Sequence, residues 1–234
     1  MKIDYLRASS IGCFKDCEFK YFLDYSVGLQ SPAGKKALLG TIFHAVYEIL
    51  AKCKKTGHYK LKDKYSDPEY LLRICWNKYT TENPQFEYTM ADYKFCQKLL
   101  EAMVGSRFCP LKLDILAIEK QFEIDLDVRG FGKPPCKLRG TIDLVTKEDE
   151  HTLHVIDWKT GERKDWITGQ PKEIEDFEKD IQLLVYNLAL WILYPEYKYR
   201  IFTIYFVRDG GPFTVTFGPE SIEKTVQMLR KYYN

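Results

Sequence analysis

No window of the 234 residues approaches the roughly 20 consecutive apolar residues that a membrane span requires. The opening MKIDYLRASS has no apolar stretch of a secretory leader either, so a cytoplasmic protein without membrane association is expected. There is no C-x-x-C pair. The seven cysteines, at 13, 17, 53, 75, 96, 109 and 136, are odd in number and scattered, which argues against a disulfide framework and a zinc site of ordinary spacing. They are expected to be reduced and partly buried. Internal repeats and low-complexity tracts are missing. Charge of one sign is missing too: 35 basic residues meet 33 acidic ones for a net +2. That balance does not advertise a polyanion partner, although a small basic cleft can coexist with acids elsewhere. The densest basic run, from Lys52 to Lys64, reads as solvated surface.

What is present suffices for a sizeable core, with 45% hydrophobic residues. Helical spacing of Ile11, Phe14, Tyr21, Phe22 and Tyr25 predicts a helix over 9–25, capped by Ser9 or Ser10. After a loop at 26–36, a second helix is expected from Leu38 to Lys54, with Leu39, Ile42, Phe43, Val46, Ile49 and Leu50 as its apolar stripe. Residues 69–108 read as helical with a break at Asn83-Pro84, and their many aromatics read as packing residues. From Ile115 the period changes to two. Phe122, Ile124, Leu126 and Val128 alternate, and strands are predicted over 137–146 and 152–160, joined by a short polar turn as an antiparallel hairpin. A polar loop at 161–173, a long helix from Ile174 to Leu193 ended by Pro195, strands over 199–207 and 212–217, and a helix from Pro219 complete the chain. This order predicts an α/β (mixed α+β) architecture in one domain over 1–234, a central mixed sheet flanked by helices.

The segment VIDWKTG at 155–161 raises the functional question. It begins as a buried strand yet carries Asp157 and Lys159, and burying a charge is costly unless it is paired or bound to a metal. On a strand these two side chains share a face while Trp158 points away. If the hairpin turns near Glu150, Asp143 of the GTID segment lies opposite Asp157. Two carboxylates that close repel unless a cation lies between them. Hard divalent cations take such oxygen ligands, and the backbone carbonyl of Trp158 offers a third. A metal there, with Lys159 beside it, suits phosphodiester hydrolysis. An Asp–Lys ion pair on a solvated face explains the tripeptide equally well, and both readings stand at this point. Gln182 and Tyr186, four apart on the following helix, share a face at the rim of its apolar stripe, with Lys179 beyond. His44 lies among core-type residues of the second helix, and Glu119 just ahead of the first strand.

In chain order these residues resemble the RecB-like branch of the PD-(D/E)XK nuclease superfamily. The resemblance rests on Ser9 to Cys17 (S-x-x-x-x-F-x-x-C), His44, Glu119, Gly140 to Asp143 (G-x-x-D), Asp157 to Lys159 (D-x-K) and Gln182 to Tyr186 (Q-x-x-x-Y), about residues 9–190. It implies a restriction-endonuclease-like core with a helical insertion at about 56–110. It also implies Mg²⁺ or Mn²⁺ held by His44, Asp143, Asp157 and the Trp158 carbonyl, with Lys159 as the catalytic lysine. Gln182 and Tyr186 would position the lysine or the DNA, and Glu119 would act through water or a second metal. Many relatives carry an iron–sulfur cluster on one N-terminal and three C-terminal cysteines. Cys17 matches the first, but no cysteine follows Cys136, so no cluster is expected and Cys17 is expected to be a buried thiol. No G-x-x-x-x-G-K-[ST] stretch marks a helicase motor.

The expectation is therefore a metal-dependent deoxyribonuclease. It would be an exonuclease or single-strand-acting enzyme on DNA strands or duplex ends, with replication or recombination proteins as partners. A non-catalytic DNA-binding or assembly protein that retains the fold, and an RNA-directed nuclease, are the alternatives. Arg163, Lys164, Trp166 and Lys179 are candidate nucleic-acid contacts, the first three in the loop that directly follows Lys159.

Overall fold

The computed structural model describes residues 5–29, 32–127, 135–165, 168–208 and 211–233. Its sheet has six strands, β1 (Tyr5–Leu6), β2 (Ile115–Leu126), β3 (Cys136–Lys147), β4 (Thr152–Lys159), β5 (Tyr199–Phe206) and β6 (Pro212–Phe217). They are ordered β1-β3-β4-β5-β6, with β2 also paired to β3. β1–β3 and β4–β5 are parallel, and β2–β3, β3–β4 and β5–β6 antiparallel. This is the mixed sheet expected from the strand spacing. The parallel step from β4 to β5 needs a crossover, which two helices supply, α6 (Ile174–Phe177) and α7 (Ile181–Leu193).

Helices cover both faces. On one, α7 and α8 (Glu220–Tyr233) pack Val185, Leu188 and Leu229 against Leu153, Val155 and Phe202. On the other, α3 (Lys35–Lys55), α4 (Pro68–Glu82) and α5 (Met90–Gly105) pack Phe43, Val46, Leu72 and Met103 against Leu144, Ile156 and Trp158. The alternation along β4 thus assigns odd residues to the α7 side and even ones to the α3 side. The helices between 56 and 110 complete the second core, and Trp76 meets Tyr88 and Tyr93 edge-on as packing. No helix among the described residues is long and apolar enough to cross a membrane.

Several expectations need correction. The helix expected over 9–25 is divided at Cys17, whose extended backbone (φ −163°) ends α1 (Ala8–Asp16) and caps α2 (Glu18–Tyr21), which runs on into a π-turn at Phe22–Val27. α1 begins before Ser9. Arg7 stands at its N-cap, and Ser10 Oγ reaches back to accept from Arg7 N at 3.0 Å. Cys17 is exposed, not buried, while Cys75, Cys96, Cys109 and Cys136 are buried. The helix expected from Ile174 is broken at 178–180, because Asp180 adopts an extended backbone and its carboxylate accepts from Gln182 N and Leu183 N. That cap starts α7 at the residue before Gln182. The short β1 carries too few residues to show a period.

Candidate active site

The β3–β4 hairpin pairs Lys147 with Leu153, Thr146 with His154 and Val145 with Val155, and goes no further. Two residues beyond the last pair in the same register are Asp143 and Asp157. The carboxylates therefore stand opposite one another where the two strands cease to pair. This gap opens the sheet to both of its helical layers. From the α3 side comes His44, whose Nδ1 lies 3.7 Å from Asp143 Oδ2. From the α7 side come Gln182 and Tyr186. α3 reaches this point through a close approach: a Cβ on Gly40 would lie 2.7 Å from the Thr160 hydroxyl oxygen, at the end of the strand that bears Lys159.

Asp157 is buried, with 4% of its surface exposed, so the solvated ion pair is excluded by its surroundings. Lys159 Nζ lies 2.7 Å from Asp157 Oδ2, but no well-aligned hydrogen bond reaches that buried oxygen. Desolvation pulls the Lys159 pKa down. The Asp157 charge at 2.7 Å, and Asp143 beyond, outweigh it and hold the ammonium above its ordinary value. Burial first, then the Asp157 charge, raises the Asp143 carboxyl, and His44 and Lys159 offset this only in part. Two carboxylates still repel here with one half-exposed lysine between them.

A chain of side chains ties the lysine to β3. Lys159 Nζ donates to Gln182 Oε1 at 3.5 Å, Gln182 Nε2 to Tyr186 Oη at 2.9 Å, and Tyr186 Oη to the Thr141 carbonyl at 2.5 Å. Burial pushes the Tyr186 hydroxyl up to about 12, so it remains a donor at all ordinary pH. Gly140 makes this possible. It pairs with Phe122, and a Cβ there would sit 2.5 Å from the Phe122 ring, which lies across the glycine and meets Tyr186 edge-on. The glycine of G-x-x-D is thus explained by aromatic cover of a bare backbone.

Glu119 falls between the pairs Ile118–Leu144 and Lys120–Ile142, opposite Asp143, with φ +47°. A left-handed glutamate costs on the order of 1 kcal/mol and such outliers gather at functional sites. Burial, then Asp143 and Glu48, push its carboxyl up to about 7, with Lys52 pulling against them. Glu48 and Lys52 follow His44 at helical spacing on α3 and pair with each other. Sequence reading missed both, although the spacing 44, 48, 52 was there to see.

Trp158 points away as expected and packs with its ring tilted 32° to that of Tyr205 at 4.5 Å, against Phe43 and Tyr47. Arg163 is engaged within its loop: its guanidinium donates to the Lys172 carbonyl, lies 3.6 Å from Glu173 and sits 4.7 Å over the Phe213 ring. Lys164 is exposed and 2.7 Å from Glu162. Lys179 is exposed on the wall of a cleft that Gln182 and Tyr186 also line. Trp166 lies outside the described residues.

The donor set suits a hard divalent cation: two oxygen-bearing carboxylates, one with an unmatched buried oxygen, and an imidazole beside them. Among the described residues no three His, Cys, Asp or Glu side chains already converge as a group able to hold a metal. The lysine instead occupies the near side of Asp157.

The sequence profile of the PD-(D/E)XK nuclease superfamily matches residues 6–228. Over 161 residues the chain is 22% identical to an ATP-dependent helicase/deoxyribonuclease subunit of Lactococcus lactis, covering 67% of this chain and 15% of that protein. Over 169 residues it is 25% identical to the protein of the same name from Streptococcus agalactiae, covering 68% and 14%. The chain thus spans only 14–15% of the length of these relatives. A crystal structure of a candidate exonuclease from Eubacterium rectale superposes on 99% of this chain and 83% of its own, with TM-score 0.58 at 11% identity, a likeness of fold.

Proposed function

The chain belongs to the PD-(D/E)XK nuclease superfamily, and from that premise we propose that it hydrolyses DNA phosphodiester bonds with Mg²⁺ or Mn²⁺ as cofactor. In this reading it is an exonuclease or a single-strand-acting enzyme of replication, recombination or repair. The observation that supports the reading is the pair Asp143 and Asp157, set opposite each other at the open end of the hairpin with Lys159 at 2.7 Å.

His44, Asp143, Asp157 and the Trp158 carbonyl would hold the cation. A divalent cation in such a site lowers the pKa of bound water and polarises a phosphoryl oxygen. Asp157 keeps the proton on Lys159 Nζ, so the ammonium serves as a donor toward charge that develops on the phosphate oxygens. Gln182 fixes that ammonium, and Tyr186 fixes Gln182 against β3, which limits the reorganisation needed during reaction. Glu119, opposite Asp143 and near neutrality in its pKa, exchanges a proton through water. Lys164 and Lys179, with Arg163 and Trp166 of the same loop, would meet the nucleic-acid backbone. The helices at 56–110 are read as an insertion in a single nuclease domain. The name of the Lactococcus and Streptococcus relatives, helicase/deoxyribonuclease subunit, supports DNA as substrate and DNA-processing proteins as partners, and a cytoplasmic location is part of the same proposal.

Digestion of DNA labelled at either end, single- and double-stranded, tests this directly. Cleavage that needs Mg²⁺ or Mn²⁺ and is lost in Lys159→Ala is the expected result. Cleavage that persists in chelator, or full activity in Asp157→Ala, contradicts the mechanism. Preference for a matched RNA strand would move the substrate assignment.

A further inference from the structure

Beside the lysine–glutamine–tyrosine chain lies a cleft of about 990 Å³, walled by α1, by β2 and β3, and by the turn from Lys172 to Asp180. Gln182, Tyr186 and Thr141 form its inner end, so it leads to Lys159. We infer that this cleft carries one strand of DNA, in preference to a duplex, on its way to the site. The inference rests on the nuclease reading above and adds the face and the strandedness.

Three observations carry it. The first is size. Clefts of about 300–1,000 Å³ enclose ligands of drug size, so this one takes on the order of two or three nucleotides of a single strand. A duplex presents grooves about 12 Å wide that this fold would have to straddle from outside.

The second is the distribution of charge. Arg7 and Lys15 stand on the α1 wall, and Lys172 and Lys179 on the opposite one. None of the four has a carboxylate within ion-pair distance among the described residues. Of the carboxylates on the same walls, four are engaged within the protein. Glu123 pairs with Lys137 and Arg139. Asp165 accepts from Thr168, Asp176 from Glu173 N, and Asp180 from Gln182 N and Leu183 N. Asp16 alone is not engaged among the described residues. Arg139 of the same lining pairs with Glu123 and Arg7 lies over the Tyr5 ring, so the cations offered to an occupant are chiefly Lys15, Lys172 and Lys179, and such a row of cations tracks a phosphate backbone.

The third is Gly12, in the middle of α1. A glycine inside a helix weakens it. Here the protein's own packing does not require one, since a Cβ at Gly12 would have nothing within 4 Å and would project into the cleft. The bare position leaves room for an occupant.

Fluorescence anisotropy of a labelled strand of about 12 nucleotides, with chelator present so that nothing is cut, provides the test. The wild type is expected to bind the single strand more tightly than the same sequence as duplex. Lys15→Ala with Lys172→Ala should weaken strand binding about tenfold, and should reduce the slope of log affinity against log salt by about 1.4, two phosphate contacts at about 0.7 each. Gly12→Leu should weaken binding several-fold with no change in that slope and no loss of thermal midpoint. Gly12→Ala should bind as the wild type does and melt no lower. Unchanged affinity in both the double variant and Gly12→Leu overturns the inference, as does equal affinity for duplex. The two readings fail separately. Cleavage with unaltered binding in these variants removes the cleft alone, whereas binding that follows the pattern without any cleavage in Mn²⁺ removes the nuclease reading alone.

Discussion

Two of the polar side chains that β4 buries, His154 and Asp157, lie three residues apart, and their surroundings differ. His154 is 5% exposed and completely served: Nδ1 meets Glu148 Oε2 at 3.1 Å, Nε2 meets Thr203 Oγ1 at 2.8 Å, and Thr203 reaches Thr214 at 2.9 Å. Phe108 packs edge-on against its ring. Asp157 is as deeply buried, but its Oδ2 lacks an aligned donor, a second carboxylate faces it, and its counter-ion is half-exposed. A buried polar group that is fully hydrogen-bonded stabilises a fold, and one left incomplete costs stability and is suited to chemistry. The carboxylate–imidazole–hydroxyl order of Glu148, His154 and Thr203 could pass for a nucleophilic triad. Yet Thr203 is 1% exposed and does not line the cleft beside Gln182 and Tyr186, so this array is a strut.

The largest effect that would sharpen this contrast is on activity. Lys159→Ala should lower DNA hydrolysis by about 10³-fold, in the range of a lost electrostatic stabiliser, and should lower the thermal midpoint as well, because the buried Asp157 loses its counter-ion. Asp143→Asn should be as inactive yet melt a few degrees higher without metal, because it removes the repulsion with Asp157. Equal or lower stability would break the contrast.

His154→Ala should do the reverse. It leaves a cavity and strands Glu148 and Thr203, costing about 3 kcal/mol and lowering the midpoint by about 6–12 °C, as calorimetry would show. Hydrolysis at a temperature where the variant is folded should persist.

Tyr186→Phe removes the bonds to Thr141 and Gln182 that hold the lysine. About a tenfold fall in kcat with a nearly constant KM is expected, since a positioning contact acts in the transition state. A loss confined to KM would assign Tyr186 to substrate binding instead.

The smallest effect is on pH. Burial, opposed by the Glu148 hydrogen bond, holds the His154 pKa below its ordinary value. Between the two values the unfolded chain binds more protons. The histidine's contribution is therefore complete above about pH 6.5 and is lost as pH falls through the folded value, at no more than about 1.4 kcal/mol per pH unit. Urea unfolding at pH 5 and pH 7 should show this slope in the wild type and not in His154→Ala.

Much of the site was legible because a strand has a strict period. Asp157 and Lys159 on one face, Trp158 on the other, and Asp143 opposite Asp157 all follow from alternation and hairpin length, and the register agrees. The mixed sheet was legible for the same reason. That His44 reaches Asp143 depends on how α3 packs, which periodicity does not encode; the resemblance supplied it. The break before α7 escaped because the apolar stripe of Ile174 to Leu193 runs through it, although Asp180 before an apolar run is a cap signal. Cys17 was expected inside because free cysteines usually are. At a helix break its side chain faces solvent. The left-handed backbone at Glu119 leaves no mark in sequence.

In the proposed mechanism the incomplete end of β4 accepts a divalent cation. Thermal midpoints of the wild type and Asp157→Asn across a Mn²⁺ titration test it most directly. The wild-type midpoint is expected to climb with Mn²⁺, by the equivalent of about 2.7 kcal/mol at a hundred times Kd, while that of Asp157→Asn stays flat. Parallel curves for the two proteins would contradict it.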